Sequence, residues 1–202
     1  PVPGSEMSGG PIECEVKLRI ASRSDLERLL RHLPNPRRWG LQLNVYLDTA
    51  DRVLEAARGS LRLRVTPDHA RLTSKWGRGI AGCTFRCVEV ESPVDRVAAV
   101  AFIEGHGPLP MAEGFEDVAD VTAGRPLAVV NWSLTHRTIC DLDGFVVEAD
   151  ETLFSDGSRD FEVEVETADP DAALVLLQRV AATAGIVLTP QTRTKQARAQ
   201  AC

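Results

Sequence analysis

Ile12-Glu13-Cys14-Glu15-Val16-Lys17-Leu18-Arg19-Ile20 alternates without a break. Successive side chains of an extended chain point to opposite faces. Ile12, Cys14, Val16, Leu18 and Ile20 therefore share one side, and Glu13, Glu15, Lys17 and Arg19 share the other. An antiparallel sheet often packs one face on a core and wets the other, so one charged face needs no special account. Recurrence does. Arg62 and Arg64, Glu89 and Glu91, and Glu162, Glu164 and Glu166 each repeat one sign at alternate positions of further strand-like runs. Such spacing sets like charges about 6–7 Å apart on one face. Solvation gives no reason to stack them. A hard divalent cation does, because it takes carboxylate oxygens and keeps positions open for phosphate, and paired guanidinium groups suit a polyanion. Facing one space, the two kinds of pair describe a metal–polyphosphate site. The apolar reverse faces would then need helices over them.

Composition sets the frame. The chain has 202 residues, with 23 Lys plus Arg against 29 Asp plus Glu, a net charge of −6. That length fits one domain, residues 12–202, after a Gly-, Pro- and Ser-rich stretch over residues 1–11 that reads as a disordered leader. Apolar residues at 44% and charged residues at 26% are those of a folded domain. A negative total argues against binding nucleic acid along the surface or an anionic membrane, since both need a basic field. No apolar run approaches the roughly 18 residues of a membrane span, and the start lacks the layout of a secretory signal, so a cytoplasmic protein is expected, as monomer or weak dimer. Cys14, Cys83, Cys87, Cys140 and Cys202 form no C-x-x-C pair, which fits reduced thiols.

Beyond the opening strand, Ser24-Asp25-Leu26-Glu27 reads as a capping box for a helix over 24–33, stopped by Pro34. Strands are expected at 41–49, 61–65, 70–76 and 83–91, with the Gly-rich 77–82 as a hairpin loop. A short helix follows at 94–103, and 111–125 is mostly loop with a helical turn. Strands resume at 132–141, 144–153 and 160–166, the first two joined by an Asp143-Gly144 turn. Asp169-Pro170 opens a helix that Gly185 closes, and 187–197 is a last extended piece. The fold class is α+β: about eight antiparallel strands closing a barrel, with the helices at 24–33 and 170–184 outside it.

Glu13-Cys-Glu15-Val-Lys17 resembles the E-x-E-x-K signature of the CYTH superfamily, the triphosphate tunnel metalloenzymes. Supporting elements stand in the family's order: Tyr46-Leu-Asp-Thr49, Leu61-Arg-Leu-Arg64-Val65, Ser74-Lys75, Arg86 with Glu89 and Glu91, His136-Arg137, Glu148-Ala-Asp150-Glu151-Thr152, Phe161-Glu-Val-Glu164-Val165 and Thr194-Lys195. The likeness spans about residues 12–196 and looks most like the single-domain plant-type tripolyphosphatases. It implies an antiparallel barrel whose tunnel holds a triphosphate, cleaved with Mg²⁺ or Mn²⁺. Lys17, Arg19, Arg62, Arg64, Lys75, Arg86, Arg137 and Lys195 would contact phosphate. Glu162 and Glu164 would hold a metal. Glu13 and Glu15, with Glu91, Glu89 and Asp150 nearby, would hold a second one or orient water, so that Glu13, Glu15 and Lys17 are the catalytic set. Tyr46 either packs or partners the signature lysine. Arg86 has the opposite parity to Glu89 and Glu91 and shares their face only if a bulge intervenes.

The same site type serves inorganic, thiamine and nucleoside triphosphatases and class IV adenylyl cyclases. An organic head normally needs an aromatic platform, and this chain has six Phe, three Trp and one Tyr, of which Trp76 beside Lys75 is the candidate for a tunnel mouth. Inorganic tripolyphosphate is therefore the expected substrate. The rivals are a non-catalytic polyphosphate- or nucleotide-binding barrel, which could dispense with the Glu pairs, and a lipocalin-like barrel, which would turn its charges outward.

Overall fold

The computed structural model describes residues 12–35 and 37–199; the leader at 1–11 and Cys202 lie outside the described residues. Strands are β1 (Ile12–Ile20), β2 (Arg38–Asp48), β3 (Ser60–Val65), β4 (Ala70–Ala81), β5 (Thr84–Val94), β6 (Ala128–Leu142), β7 (Phe145–Phe154), β8 (Arg159–Glu166) and β9 (Leu188–Pro190). Helices are α1 (Arg23–His32), α2 (Val53–Ala56), α3 (Arg96–Ile103), α4 (Glu116–Thr122), α5 (Pro170–Ala184) and α6 (Lys195–Ala199). The sheet order is β5-β4-β3-β2-β6-β7-β8-β1-β9, and β1 also pairs with β5. That pairing, Ile12 with Val88 through Val16 with Thr84, closes β1 to β8 into an antiparallel barrel and leaves β9 as a short addition on β1.

The barrel is apolar outside and charged inside, as the alternation requires. Val16, Leu18 and Ile20 of β1 join Val147, Val163 and Val165 under Leu26 and Leu29 of α1 and Leu176, Leu177 and Val180 of α5. A second core places Val45, Leu47, Leu61, Leu63, Leu72 and Trp76 against Leu54, Ala99, Phe115 and Val118. Each buried aliphatic side chain contributes about 1.5–3 kcal/mol. Helix α5 starts and stops where Asp169 and Gly185 predict: Asp169 accepts from the Ala172 amide, and Gly185 adopts φ 64°. Asp143 and Gly144, both at positive φ, turn β6 into β7.

Several boundaries differ from expectation. Helix α1 is capped by Ser22, whose side chain accepts from the Asp25 amide, two residues ahead of the Ser24 box. Strand β4 runs through the glycine segment to Ala81, with a bulge between Trp76 and Gly79 that Gly77 permits at φ 66°. The ambiguous 111–125 contains α4. The last segment is not extended throughout: after β9 the chain coils into α6, and Thr194 Oγ1 accepts from the Ala197 amide at its start. No helix among the described residues is long and apolar enough to cross a membrane.

Candidate active site in the barrel tunnel

The strand parities aim a distinct set of side chains inward. Glu13, Glu15 and Lys17 (β1), Arg62 and Arg64 (β3), Lys75 (β4), Glu89 and Glu91 (β5), Arg137 (β6), Glu148 (β7), Glu164 and Glu166 (β8) and Lys195 (α6) line a cavity of about 500 Å³. Its walls are unlike. β1, β7 and β8 form an acidic wall, and β3 and β4 form a basic one.

On the acidic wall every buried carboxylate has a cation. Lys17 Nζ lies 2.7 Å from Glu164 and 2.9 Å from Glu15. Arg137 donates from Nε to Asp150 at 2.8 Å, from Nη2 to Asp150 at 2.6 Å and to Glu164 at 2.7 Å, and pairs with Glu148 as well. Lys195 Nζ joins Asp150 at 2.8 Å and Glu164 at 2.9 Å and also meets Glu162. From the far side Arg198 holds Glu162 at 2.7 Å. Burial opposes the charge on Lys17, yet Glu15, Glu164 and Glu162 outweigh it and hold the ammonium well above its ordinary value. Burial likewise disfavours the Glu164 carboxylate, and Lys17, Lys195 and Arg137 reverse that, holding it well below its usual range.

The basic wall is less well compensated. Arg64 has Asn44 Oδ1 at 2.9 Å as its hydrogen-bond acceptor, and Arg62 donates to Thr73 at 3.2 Å with Glu91 3.9 Å away. Burial, together with the Arg62 and Arg137 guanidinium groups, lowers Arg64 to about 9. A group so displaced gains from any anion brought beside it. Lys75 sits between Glu13 and Glu89, the latter at 2.8 Å. Burial and a hydrogen bond shared with Glu89 push Glu13 up to about 7. Burial also opposes the Glu89 charge, but the bond from Glu13 and the Lys75 ammonium prevail and hold it near 2. The pair shares one proton near neutrality.

Among the described residues, two groups have ligand atoms within 4.8 Å of one another: Glu13, Cys87 and Glu89, and Asp150, Glu162 and Glu164. Their carboxylate oxygens are the donor type that Mg²⁺ or Mn²⁺ takes. Lys75 in the first and Lys195 in the second already place an ammonium among those oxygens, which marks both as positions that demand positive charge. The residues therefore fit a divalent cation.

The structure separates two of the residues aligned with phosphate contacts from the rest. Arg86 points away from the tunnel and is exposed. Its strand is regular, the bulge lying in β4 opposite it, so parity is not rescued. Arg19 does face inward by parity, but it stands beyond α6 at the other end of the barrel, 3.5 Å from Asp160. Trp76 is not at the tunnel mouth; it is buried in the second core against Gly59. Tyr46 lines the cavity with its hydroxyl 3.4 Å from Ser133 Oγ. Asp48 of the Tyr46–Thr49 motif is structural, accepting from the amides of Thr49, Leu54 and Glu55 to cap α2.

Sequence reasoning missed Arg198 and Cys87, and it named Glu148 within a motif without giving it a role, whereas the structure sets it in the tunnel lining. Cys87 and Glu148 carry a signal, since each lies two residues before an inward acid. Arg198 carries one only if 195–199 is read as a helix, where it follows Lys195 by one turn.

Among curated proteins, none matches the chain. Of solved structures, HpAC1 of Hippeastrum, described as an adenylyl cyclase candidate with a dominant triphosphatase activity, superposes with a TM-score of 0.83 at 22% identity, covering 94% of this chain and 95% of its own. An adenylate cyclase candidate of Bacillus halodurans superposes at 0.69 with 23% identity over 92% and 97%. At such identities the likeness concerns the fold alone. The CYTH domain profile matches residues 11–195, which contain every inward residue described above except Arg198, and the chain belongs to the CYTH domain family.

Proposed function

We propose that the tunnel hydrolyses inorganic tripolyphosphate to pyrophosphate and phosphate with Mg²⁺ or Mn²⁺. The observation that carries the reading is the pair of opposed walls: under-compensated Arg62 and Arg64 face a wall of carboxylates across a cavity of about 500 Å³. A bound divalent cation would neutralise charge developing on the phosphate oxygens. Arg62, Arg64 and Lys75 would grip the polyanion's oxygens, and Lys17, Arg137 and Lys195 would reach it from the acidic wall. Glu162 and Glu164 are the donors assigned to one cation. Asp150 stands with that pair, and Glu13 and Glu15, with Glu89 and Glu91, would hold a second or align the attacking water. Phosphoryl transfer asks little more of a protein than positioning and charge neutralisation.

The choice of an inorganic substrate is supported by the lining, in which Tyr46 is the one aromatic among the described residues. Its hydroxyl is engaged with Ser133, and a base or thiazolium ring would find no second face to stack on. HpAC1, whose described activity is dominantly that of a triphosphatase, agrees with hydrolysis in preference to cyclisation. Phosphate release from tripolyphosphate, ATP and thiamine triphosphate, each with Mg²⁺ and with Mn²⁺, tests the proposal. Tripolyphosphate is expected to turn over fastest. No turnover of it with either metal rejects the reading, and faster turnover of ATP or thiamine triphosphate reassigns the substrate.

A further inference from the structure

The barrel has a second mouth. Beyond α6, a separate cavity of about 260 Å³ is lined by Arg19, Arg159, Arg193 and Arg198 with Phe154, Ser158, Gln191 and a single carboxylate, Asp160. Four guanidinium groups from β1, β8, the segment before α6 and α6 itself thus converge on a small volume. Like charges gathered in this way repel unless something answers them. The answer within the protein is partial. Arg198 is buried and satisfied by Asp160 and Glu162, while its guanidinium lies 5.7 Å from the Phe154 ring. Arg159 is drawn outward to Glu151 at 2.8 Å. Arg19 has only Asp160 at 3.5 Å, and Arg193 donates to a backbone carbonyl, that of Ala197, with no carboxylate in ion-pair range among the described residues. The cavity therefore retains positive charge after its internal pairs are counted.

We propose that this far mouth is a binding site for inorganic phosphate, distinct from the tunnel. Guanidinium forks match tetrahedral oxyanions in bidentate fashion, and their fixed plane favours phosphate over a spherical anion. Size sets the upper limit, because sites for drug-sized ligands begin at about 300 Å³ and this cavity is smaller. Arg19 and Arg193 supply the uncommitted charge, Ser158 and Gln191 add neutral polar contacts, and Arg198 forms the buried floor. The site is tied mechanically to the tunnel, since Lys195 and Gln196 of α6 line the front cavity, Arg198 of the same helix lines the rear one, and Glu162 holds both Lys195 and Arg198.

Calorimetric titration of the full chain with inorganic phosphate in the presence of a chelator tests the site without reference to catalysis. Wild type is expected to show two classes of site. Arg19→Gln combined with Arg193→Gln should weaken one class at least tenfold and spare the other, and Arg62→Gln combined with Arg64→Gln should do the reverse. Arg19→Gln alone, at a side chain 60% exposed, keeps the test open if the double variant folds poorly; it should weaken the same class several-fold. Phosphate binding unchanged by the Arg19 and Arg193 substitutions, or abolished entirely by the tunnel substitutions, overturns the proposal. Either result leaves the triphosphatase reading to its own substrate panel.

Discussion

Replacing Lys17 by Met removes the charge at the centre of the acidic wall while keeping most of the side chain's volume. Lys17 Nζ is within 2.9 Å of both Glu15 and Glu164, and its side chain is 9% exposed. Deleting one partner of a buried ion pair costs about 3–5 kcal/mol when the other is left stranded. Glu164 is not stranded, because Arg137 and Lys195 remain at 2.7 and 2.9 Å. The loss should therefore fall at the lower end, about 3 kcal/mol, with little added for a cavity because Met fills irregular gaps. In a chain of this size that corresponds to a fall in Tm of roughly 6–12 °C. The pH dependence has a definite sign. Glu164 is depressed below 4.5, so its stabilisation is present above that value and is lost as pH falls towards the folded-state value. Lys17 is raised above 10.5, so its share is complete below 10.5 and disappears only at higher pH. The gap between wild type and variant should be level from about pH 5 to 10 and narrow on further acidification. Urea denaturation monitored by circular dichroism across that range measures it. A gap under about 1 kcal/mol at pH 7, or one that widens in acid, would refute the ion-pair account.

Other consequences follow from single positions. Glu13→Gln should reduce turnover at least a hundredfold, about 2.7 kcal/mol of transition-state stabilisation, while tripolyphosphate still raises Tm; an active variant removes Glu13 from the metal or water role. Gly59→Ala would set a Cβ 2.2 Å from Trp76 Cζ3, and overpacking of this kind costs about 1–3 kcal/mol, readable by the same denaturation; a neutral effect would mean that Trp76 can move. Burial, with the Glu13 and Glu89 carboxylates, pushes the Cys87 thiol up to about 12, so at pH 8 it should alkylate with iodoacetamide far more slowly than an exposed thiol. Peptide mass mapping of the labelled protein checks this, and rapid labelling of Cys87 would contradict it.

The inward charges were legible because period-two alternation is a strong signal and like signs at alternate positions are otherwise unrewarded. Glu13, Glu15, Lys17, Arg62, Arg64 and Glu164 all meet in the tunnel on that evidence. Register is what alternation leaves undetermined. Parity alone placed Arg86 outside unless a bulge restored it, and the only sign of where the bulge lay was the glycine pair flanking Arg78 on the neighbouring strand. Arg19 obeys parity yet misses the tunnel, because how far along the barrel α6 crosses is decided by tertiary packing. Helix α6 has five residues, too few to be stable by propensity alone. Contacts that join it to the barrel, such as Arg198 with Glu162 and Lys195 with Asp150, connect residues 36 and 45 positions apart, and no local pattern announces them.

Closure of the barrel gives β1 an unusual schedule. It precedes the other described strands in the chain, yet its ladders are to β5, β8 and β9. Its contact with β5 becomes available once residue 88 exists, but the partner on its other side, residues 161–166, follows only after β6 and β7. Until then Lys17 lacks Glu164, although α1 already follows β1 to cover Val16, Leu18 and Ile20 and Lys75 of β4 can reach Glu13. Sequence-distant pairing of this kind slows folding. The acidic wall thus rests on a ladder of high sequence separation, with Lys17 and Glu164 lying 147 positions apart.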